Sequence, residues 1–294
     1  MPHNLLQGKK GLVFGALNDL SIAWKVVERA HEEGASLVLT NTPIALRMGN
    51  IDELAANTNS RVIAADATKI SDLEALFEQT MAHFGGKFDF VLHSIGMSPN
   101  VRKKIPYHEI NYENFLKTLD ISALSFHKMI QTAKKLDAIN DWGSIVGLSY
   151  IAAQRTLYEY NDMADAKAAL ESIARSFGYI YGREKKIRIN TISQSPTPTT
   201  AGLGVKGFSG LMDFTERMSP LGNATALECA DYCITLFSDL TRKVTMQNLF
   251  HDGGFSSMGM SARAMEMYNK SLECKDCNEN PLNKTPSQSG SKFW

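Results

Sequence analysis

Several things are missing from this sequence, and each absence closes a class of protein. No run of apolar residues approaches the roughly 18–20 that a membrane-crossing helix needs. Basic and acidic residues balance at 31 each, so no global field favours a nucleic-acid backbone. No block of like charge exceeds a few residues, which argues against a charged interaction tail. Cysteine is scarce. Cys229 and Cys233 fall in an apolar helical pattern and read as core thiols, whereas Cys274 and Cys277 form a lone Cys-x-x-Cys in a polar stretch. That pair supplies at most half of a four-thiolate zinc site and reads as two solvated thiols. Such usage does not suggest a disulfide-stapled secreted fold. The seven histidines are scattered, with no His-Glu-x-x-His grouping for metal hydrolysis. Residues 1–8 lack the apolar run of a signal peptide. The expectation is a cytoplasmic protein that binds neither nucleic acid nor membrane.

What is present is an alternation. Short apolar runs at 9–15, 35–40, 61–65, 88–93, 143–148, 186–192 and 248–251 read as strands. Between them, 21–30, 51–56, 71–84, 111–136, 160–181, 208–218 and 226–237 read as helices. This predicts an α/β chain: a single-domain, doubly wound Rossmann fold of about seven parallel strands, helices on both faces. Ligands then bind above the carboxyl ends of the strands. The domain spans 1–258, and the polar stretch 259–294 reads as a flexible extension.

The chemistry-bearing residues lie at those strand ends. Gly15 opens the first strand-to-helix turn, where a pyrophosphate can meet free N–H groups at a helix start. It is the sole survivor of the three-glycine dinucleotide fingerprint. Ser21 either caps the helix or donates to a phosphate. The second strand ends at Thr40-Asn41-Thr42, with neither a carboxylate for a ribose 2′-hydroxyl nor an arginine for a 2′-phosphate. Arg47 is seven residues beyond Thr40, so NADH is favoured over NADPH. Asp66, after the third strand, is placed to accept from an adenine amino group. Ser94-Ile95-Gly96 follows the fourth strand, and Gly96 lets the chain pass close to a cofactor. The sharpest pair is Tyr160 and Lys167, seven residues apart and thus near one face of the expected helix. A tyrosine hydroxyl can donate to a carbonyl oxygen as charge develops there, and a nearby cation can hold a ribose and stabilise that charge. A surface Tyr and Lys on an Ala-rich helix would show the same spacing. Tyr181 and Lys185 offer a shorter spacing, but at the far end of that helix, away from the strand ends.

The order of Gly15-x5-Ser21-Ile22-Ala23, His93-Ser94-Ile95-Gly96, Leu148-Ser149-Tyr150, Tyr160-Asn161-x-Met163-x3-Lys167-Ala168, Arg188-Ile189-Asn190-x-Ile192-Ser193 and Asp252-Gly253-Gly254-Phe255 is far more specific than any one motif. From about Leu5 to Phe255 the chain resembles the enoyl-acyl-carrier-protein reductases, a divergent branch of the short-chain dehydrogenase/reductases. The resemblance implies NADH-dependent reduction of a trans-2-enoyl thioester on acyl carrier protein, by a homotetramer. It implies Gly15, Ser21 and Ile22 at the pyrophosphate, Asp66 and Ala67 at the adenine, Ser94, Ile95 and Gly96 along the nicotinamide ribose, and Thr199 near the carboxamide. It further implies Lys167 on the ribose, Tyr160 as catalytic donor, and Tyr150 and Ser98 beside the substrate. Where the family reads Ala-Gly-Pro after Ser193, this chain has Gln194-Ser195-Pro196-Thr197-Pro198-Thr199. A glycine-rich lid is expected at about 200–218, with Phe208, Leu211, Met212 and Phe214 over an acyl chain. Two other readings stay open: a carbonyl or alcohol dehydrogenase, which would place Lys where Ala164 stands, and a non-catalytic nicotinamide-binding protein.

Overall fold

Parallel strands buried on both faces need an apolar side chain at nearly every position, as in the central strands LVF of 12–14 and FVL of 90–92. The sheet contains β1 (Lys10–Phe14), β2 (Ser36–Asn41), β3 (Arg61–Ala64), β4 (Phe88–His93), β5 (Ile139–Ser149), β6 (Arg188–Gln194) and β7 (Asn248–His251). The computed structural model describes residues 3–273 except 201, 205 and 206. All seven strands pair in parallel, in the order β3-β2-β1-β4-β5-β6-β7. The order reverses between β1 and β4, which opens a crevice above their carboxyl ends.

The helices are α1 (Ile22–Glu32), α2 (Pro43–Met48), α3 (Ile51–Asn57), α4 (Ile70–Phe84), α5 (Pro99–Arg102), α6 (Tyr112–Leu119), α7 (Ser125–Lys135), α8 (Asp162–Lys185), α9 (Phe208–Met218), α10 (Ala226–Phe237) and α11 (Ala262–Glu273). Side-chain alternation sorts them onto two faces. Leu12 and Phe14 join a core with Leu73, Phe77, Phe126 and Leu170 of α4, α7 and α8. Val13 points the other way, into a core with Val26, Val27, Ile234 and Phe237 of α1 and α10. Gly11 is fixed by this packing: a Cβ there would lie 2.2 Å from the Phe90 ring, which stacks on Phe237 at 4.4 Å.

Three expectations change. The helix expected over 111–136 is α6 and α7 joined by one π-helical turn, Asp120–Leu124. That turn presents Ser122, whose hydroxyl accepts from Met97 N (2.9 Å) and donates to Met97 O (3.1 Å), holding the loop after β4. α8 begins at Asp162 rather than 160, because Asn161 (φ 54°, ψ −145°) is its cap and its side chain accepts from Asp162 N. The stretch from 259, expected as an extension without secondary structure, contains α11, which packs on α9, and Ser261 Oγ donates to Arg217 O (2.6 Å). Cys274 and Cys277 lie outside the described residues. Among the described residues, no helix is long and apolar enough to cross a membrane.

Candidate active site

The first turn closes onto the fourth strand. Gly15 has φ +96°, and a Cβ there would lie 2.0 Å from the Ser94 carbonyl oxygen. Only glycine lets the two turns meet. Ser21 stands at the N-cap position of α1 and lines the cavity, but its side chain makes no capping hydrogen bond. Its Oγ accepts from Leu17 N and Asn18 N, both at 3.2 Å, and so shapes the turn itself. The start of α1 is left with the free first-turn N–H groups that make helix N-termini anion sites. Asn41, at the end of β2, is spent on the same turn: its Nδ2 donates to Ala16 O (3.0 Å).

Below the crevice, His93 is fully buried beside Phe14 and Phe126. Ser125 Oγ donates to Ile121 O (2.6 Å), so the His93–Ser125 contact at 2.8 Å has His93 Nε2–H as donor. Burial, helped by the Lys167 charge, holds the imidazole neutral, with its pKa depressed to about 3. The unfolded chain binds this proton near the usual 6.5. His93 therefore contributes no penalty above pH 6.5, and the fold loses stability as pH falls from 6.5 toward 3. At the lower end that loss reaches at most about 5 kcal/mol. Chemical denaturation at stepped pH should show a shallower acid slope in His93→Asn; an unchanged slope would remove His93 from the acid sensitivity.

Tyr150, Tyr160 and Lys167 meet above β5. The chain leaves β5 at Ser149, and Tyr150 is buried with its hydroxyl unpartnered. Its ring lies 4.8 Å from that of Tyr160. Tyr160 is not on the helix with Lys167. It sits in the connector between Glu159 (φ 61°) and Asn161 (φ 54°), two left-handed residues that fold it back over the first turns of α8. The shared helix face thus fails as a reason, although both residues line one cavity. Burial raises the pKa of both phenols well above the ordinary tyrosine value, so each remains a proton donor at neutral pH. Lys167 is 8% exposed, and its Nζ donates to Leu148 O at 2.7 Å. Desolvation lowers its pKa to about 8 against the opposing pull of Glu171. The shorter-spaced Tyr181 and Lys185 play a different part: Tyr181 is packed in the core and Lys185 pairs with Asp137.

The cavity has a volume of about 270 Å³, and Gly15, Ser21, Ile22, Ser94, Ile95, Gly96, Ser98, Tyr150, Tyr160, Lys167 and Thr199 all reach it. Two residues expected at an adenine do not. Asp66 and Ala67 lie past the end of β3, and Asp66 Oδ1 accepts from Thr68 N (3.0 Å) and Thr68 Oγ1 (2.7 Å). Ser98 reaches the wall, but its hydroxyl is given to Asp162 (2.5 Å) and offers no proton to a substrate. Thr199 Oγ1 accepts from Gly202 N (3.0 Å), which leaves its proton free for a ligand. Of the lid residues, Phe208 and Leu211 line the cavity, whereas Phe214 turns out toward Phe255 and Met212 does not reach it. Sequence reasoning did not find Leu17, Met97, Val101, Arg102 or Met163 as wall residues. Met163 stands inside the quoted Tyr160–Lys167 motif without a role assigned to it, and the other four are ordinary loop and helix residues with no motif to mark them.

The unusual segment after Ser193 is well tied. Gln194 Nε2 donates to Ala224 O (3.0 Å), its Oε1 accepts from His251 Nδ1 (2.6 Å), and Ser195 Oγ accepts from Ala224 N (2.9 Å). Asn18 Nδ2 reaches across to Thr200 Oγ1 (3.0 Å), joining the base of the lid to the first turn.

These residues fit a nicotinamide dinucleotide. At Gly96 a Cβ would meet nothing nearer than Lys167 Nζ, at 3.7 Å, so the open surface there is room for a ligand. Lys167 uses one of its three N–H donors on the protein, and the buried Tyr150 hydroxyl uses none. Residues 15–256 match the family model described as enoyl-(acyl carrier protein) reductase. The chain belongs to that family. It is 33% identical over 260 residues to enoyl-[acyl-carrier-protein] reductase [NADH] 1 of Rhizobium meliloti, covering 88% of this chain and 94% of the relative. Among solved structures, the FabI–NADH complex of Alistipes finegoldii is 71% identical with a TM-score of 0.90, covering 95% of this chain and 98% of that one. The enoyl-[acyl-carrier-protein] reductase (NADH) of Aquifex aeolicus is 32% identical with a TM-score of 0.80, covering 87% and 100%.

Proposed function

We propose that this chain reduces the trans-2 double bond of an enoyl thioester held on acyl carrier protein, with NADH as reductant. The observation that carries this reading is the convergence of Tyr160, Tyr150 and Lys167 on one cavity beside Gly96, inside a chain of this family. Bound NADH supplies the hydride for the β-carbon. The protein's part is electrostatic. Tyr160 donates its hydroxyl proton in a hydrogen bond to the thioester carbonyl, where negative charge collects as the enolate forms. Lys167 holds the ribose hydroxyls with its two uncommitted N–H groups and adds positive charge nearby. Phe208 and Leu211 of the lid keep water off the acyl chain. Protonation at the α-carbon completes the reduction.

The carrier and the assembly belong to the same proposal. Arg102 lines the cavity, Lys103 and Lys104 follow it, and among the described residues none of the three pairs with a carboxylate. That cationic rim suits an acidic carrier. Exposed apolar side chains stand on α6, the turn leading into α7, and α8 (Tyr112, Leu116, Leu124, Tyr179 and Ile180) and on α10, β7 and the turn between them (Leu227, Phe250 and Leu240). A homotetramer of dihedral symmetry, with two different self-complementary interfaces, would bury both sets.

The test is NADH oxidation with a crotonyl thioester and with a longer enoyl acyl carrier protein. We expect turnover of both, with KM for the carrier substrate alone rising steeply with salt. No loss of absorbance with either NADH or NADPH would reject the reading.

A further inference from the structure

We infer that Asp162 is a positioning residue for this reaction: a buried carboxylate that ties the Tyr160 connector to the wall of the substrate cavity. The inference rests on the functional reading above. Asp162 opens α8 and is 0% exposed. Three side chains from two other segments donate to it. Ser98 Oγ reaches Oδ1 at 2.5 Å, while Asn100 Nδ2 and Thr118 Oγ1 reach Oδ2, each at 2.8 Å. Among the described residues, no lysine or arginine pairs with it. Its charge is held by these donors and by the start of α8.

The donors are themselves fixed. Ser98 Oγ accepts from Val101 N (3.0 Å) and thereby caps α5. Asn100 Nδ2 also donates to Asn111 O (3.1 Å), and its Oδ1 accepts from Asn114 Nδ2 (3.2 Å). Thr118 Oγ1 shares its proton with Asn114 O (2.9 Å). One carboxylate therefore joins the loop after β4, the helix α6 and the first residue of α8. The first of these segments carries Met97, Val101 and Arg102 into the cavity. The third carries Tyr160, two residues upstream of Asp162.

Further bonds run from the connector to its neighbours. Tyr160 N donates to Leu157 O at 3.3 Å, and Asn161 Nδ2 donates to Ile105 O, again in the loop after β4. With left-handed backbone on both sides of Tyr160, a small shift at Asp162 becomes a swing of the phenol. Helix initiation alone would not need this arrangement, since an exposed serine or aspartate caps as well. Convergence of donors from a cavity-lining loop and from α6 on the residue that follows the Tyr160 connector is what a positioning role requires.

Asp162→Asn keeps the shape but turns one acceptor oxygen into a donor facing donors. We expect kcat to fall about 10- to 100-fold, as for a misplacement of about 1 Å at a reacting group. KM for NADH should stay within about twofold, because Gly15, Gly96 and Lys167 are not touched. In a Tyr160→Phe background the same change should lower kcat by less than about twofold more, since the group it positions is gone. Thr118→Val and Ser98→Ala each remove one donor and leave the carboxylate in place. They should give smaller kcat losses with the same dependence on Tyr160, and they decide the matter if Asp162→Asn does not fold. Losses that multiply with Tyr160→Phe, a parallel rise in KM for NADH, or wild-type kcat in these variants would overturn the role of Asp162. Wild-type turnover is measured first: its absence rejects the functional reading, whereas its presence with unaffected variants rejects the inference alone.

Discussion

Replacing Tyr160 with phenylalanine should lower kcat about 100- to 1,000-fold, the usual cost of removing one donor to a developing oxyanion. The Kd for NADH should stay within about twofold of wild type. The ring is held by its packing on Tyr150 at 4.8 Å, and phenylalanine keeps that contact. What is lost is one hydroxyl, which bonds no protein group among the described residues and faces the cavity. Burial keeps that hydroxyl protonated, so the loss should be nearly uniform across neutral pH. Steady-state turnover at saturating NADH, with a fluorescence titration for Kd, separates the two effects. Full activity would move the carbonyl donor to Tyr150, the second buried phenol with a free hydroxyl. In that event Tyr150→Phe becomes the inactive variant.

The sheet was legible because its central strands are buried on both faces. Runs such as Phe88–His93 have no competing helical period and end at turn residues. The site was legible as a set of strand ends, since Gly15, Ser94 and Tyr150 each follow a strand directly. What could not be read is where hydroxyls and carboxylates spend their hydrogen bonds. Ser98, which the resemblance placed beside the substrate, gives its proton to Asp162, and Ser21, read as a cap or a phosphate donor, accepts from the turn it closes. Asp162 reads in the sequence as one more acid in a first helical turn; only tertiary packing makes it fully buried. The start of α8 was misplaced because Tyr160-Asn161 continues an Ala-rich helical pattern. Asn161 tolerates left-handed φ and offers its own cap, and those local bonds outweigh propensity. The helix α11 was missed for a related reason: it is mostly exposed and its polar composition hides a period that packing on α9 makes useful.

Lys167 carries the second large effect, and here stability and function should move in opposite directions. Its pKa is lowered from 10.5 to about 8, by burial first, with the Glu171 carboxylate partly offsetting it. Glu171 is itself engaged by Ser149 Oγ (2.7 Å) and Gln154 Nε2 (2.9 Å), so it acts on Lys167 without contact. The unfolded chain holds this proton more tightly than the folded one. The penalty is therefore complete below pH 8 and is relieved as pH rises from 8 to 10.5. It amounts to at most about 3 kcal/mol. Lys167→Met fills the same space without the charge, so it should raise stability at pH 7 by about 2 kcal/mol after the lost bond to Leu148 O is counted. That gain should vanish at about pH 9.5 and reverse above it, as the penalty on the wild type is relieved by about 1.4 kcal/mol per pH unit. The same variant should weaken NADH binding about 100-fold, through two lost charge-assisted hydrogen bonds to the ribose. In the wild type, NADH affinity should fall as pH rises through about 8, because the neutral amine is the weaker donor; in Lys167→Met it should be flat. Denaturation and NADH titrations on one pair of proteins, across one pH series, read both quantities. A variant that binds NADH as tightly as wild type would remove Lys167 from the cofactor site. One that loses stability at pH 7 would mean that the buried ammonium is held by more than the single carbonyl of Leu148.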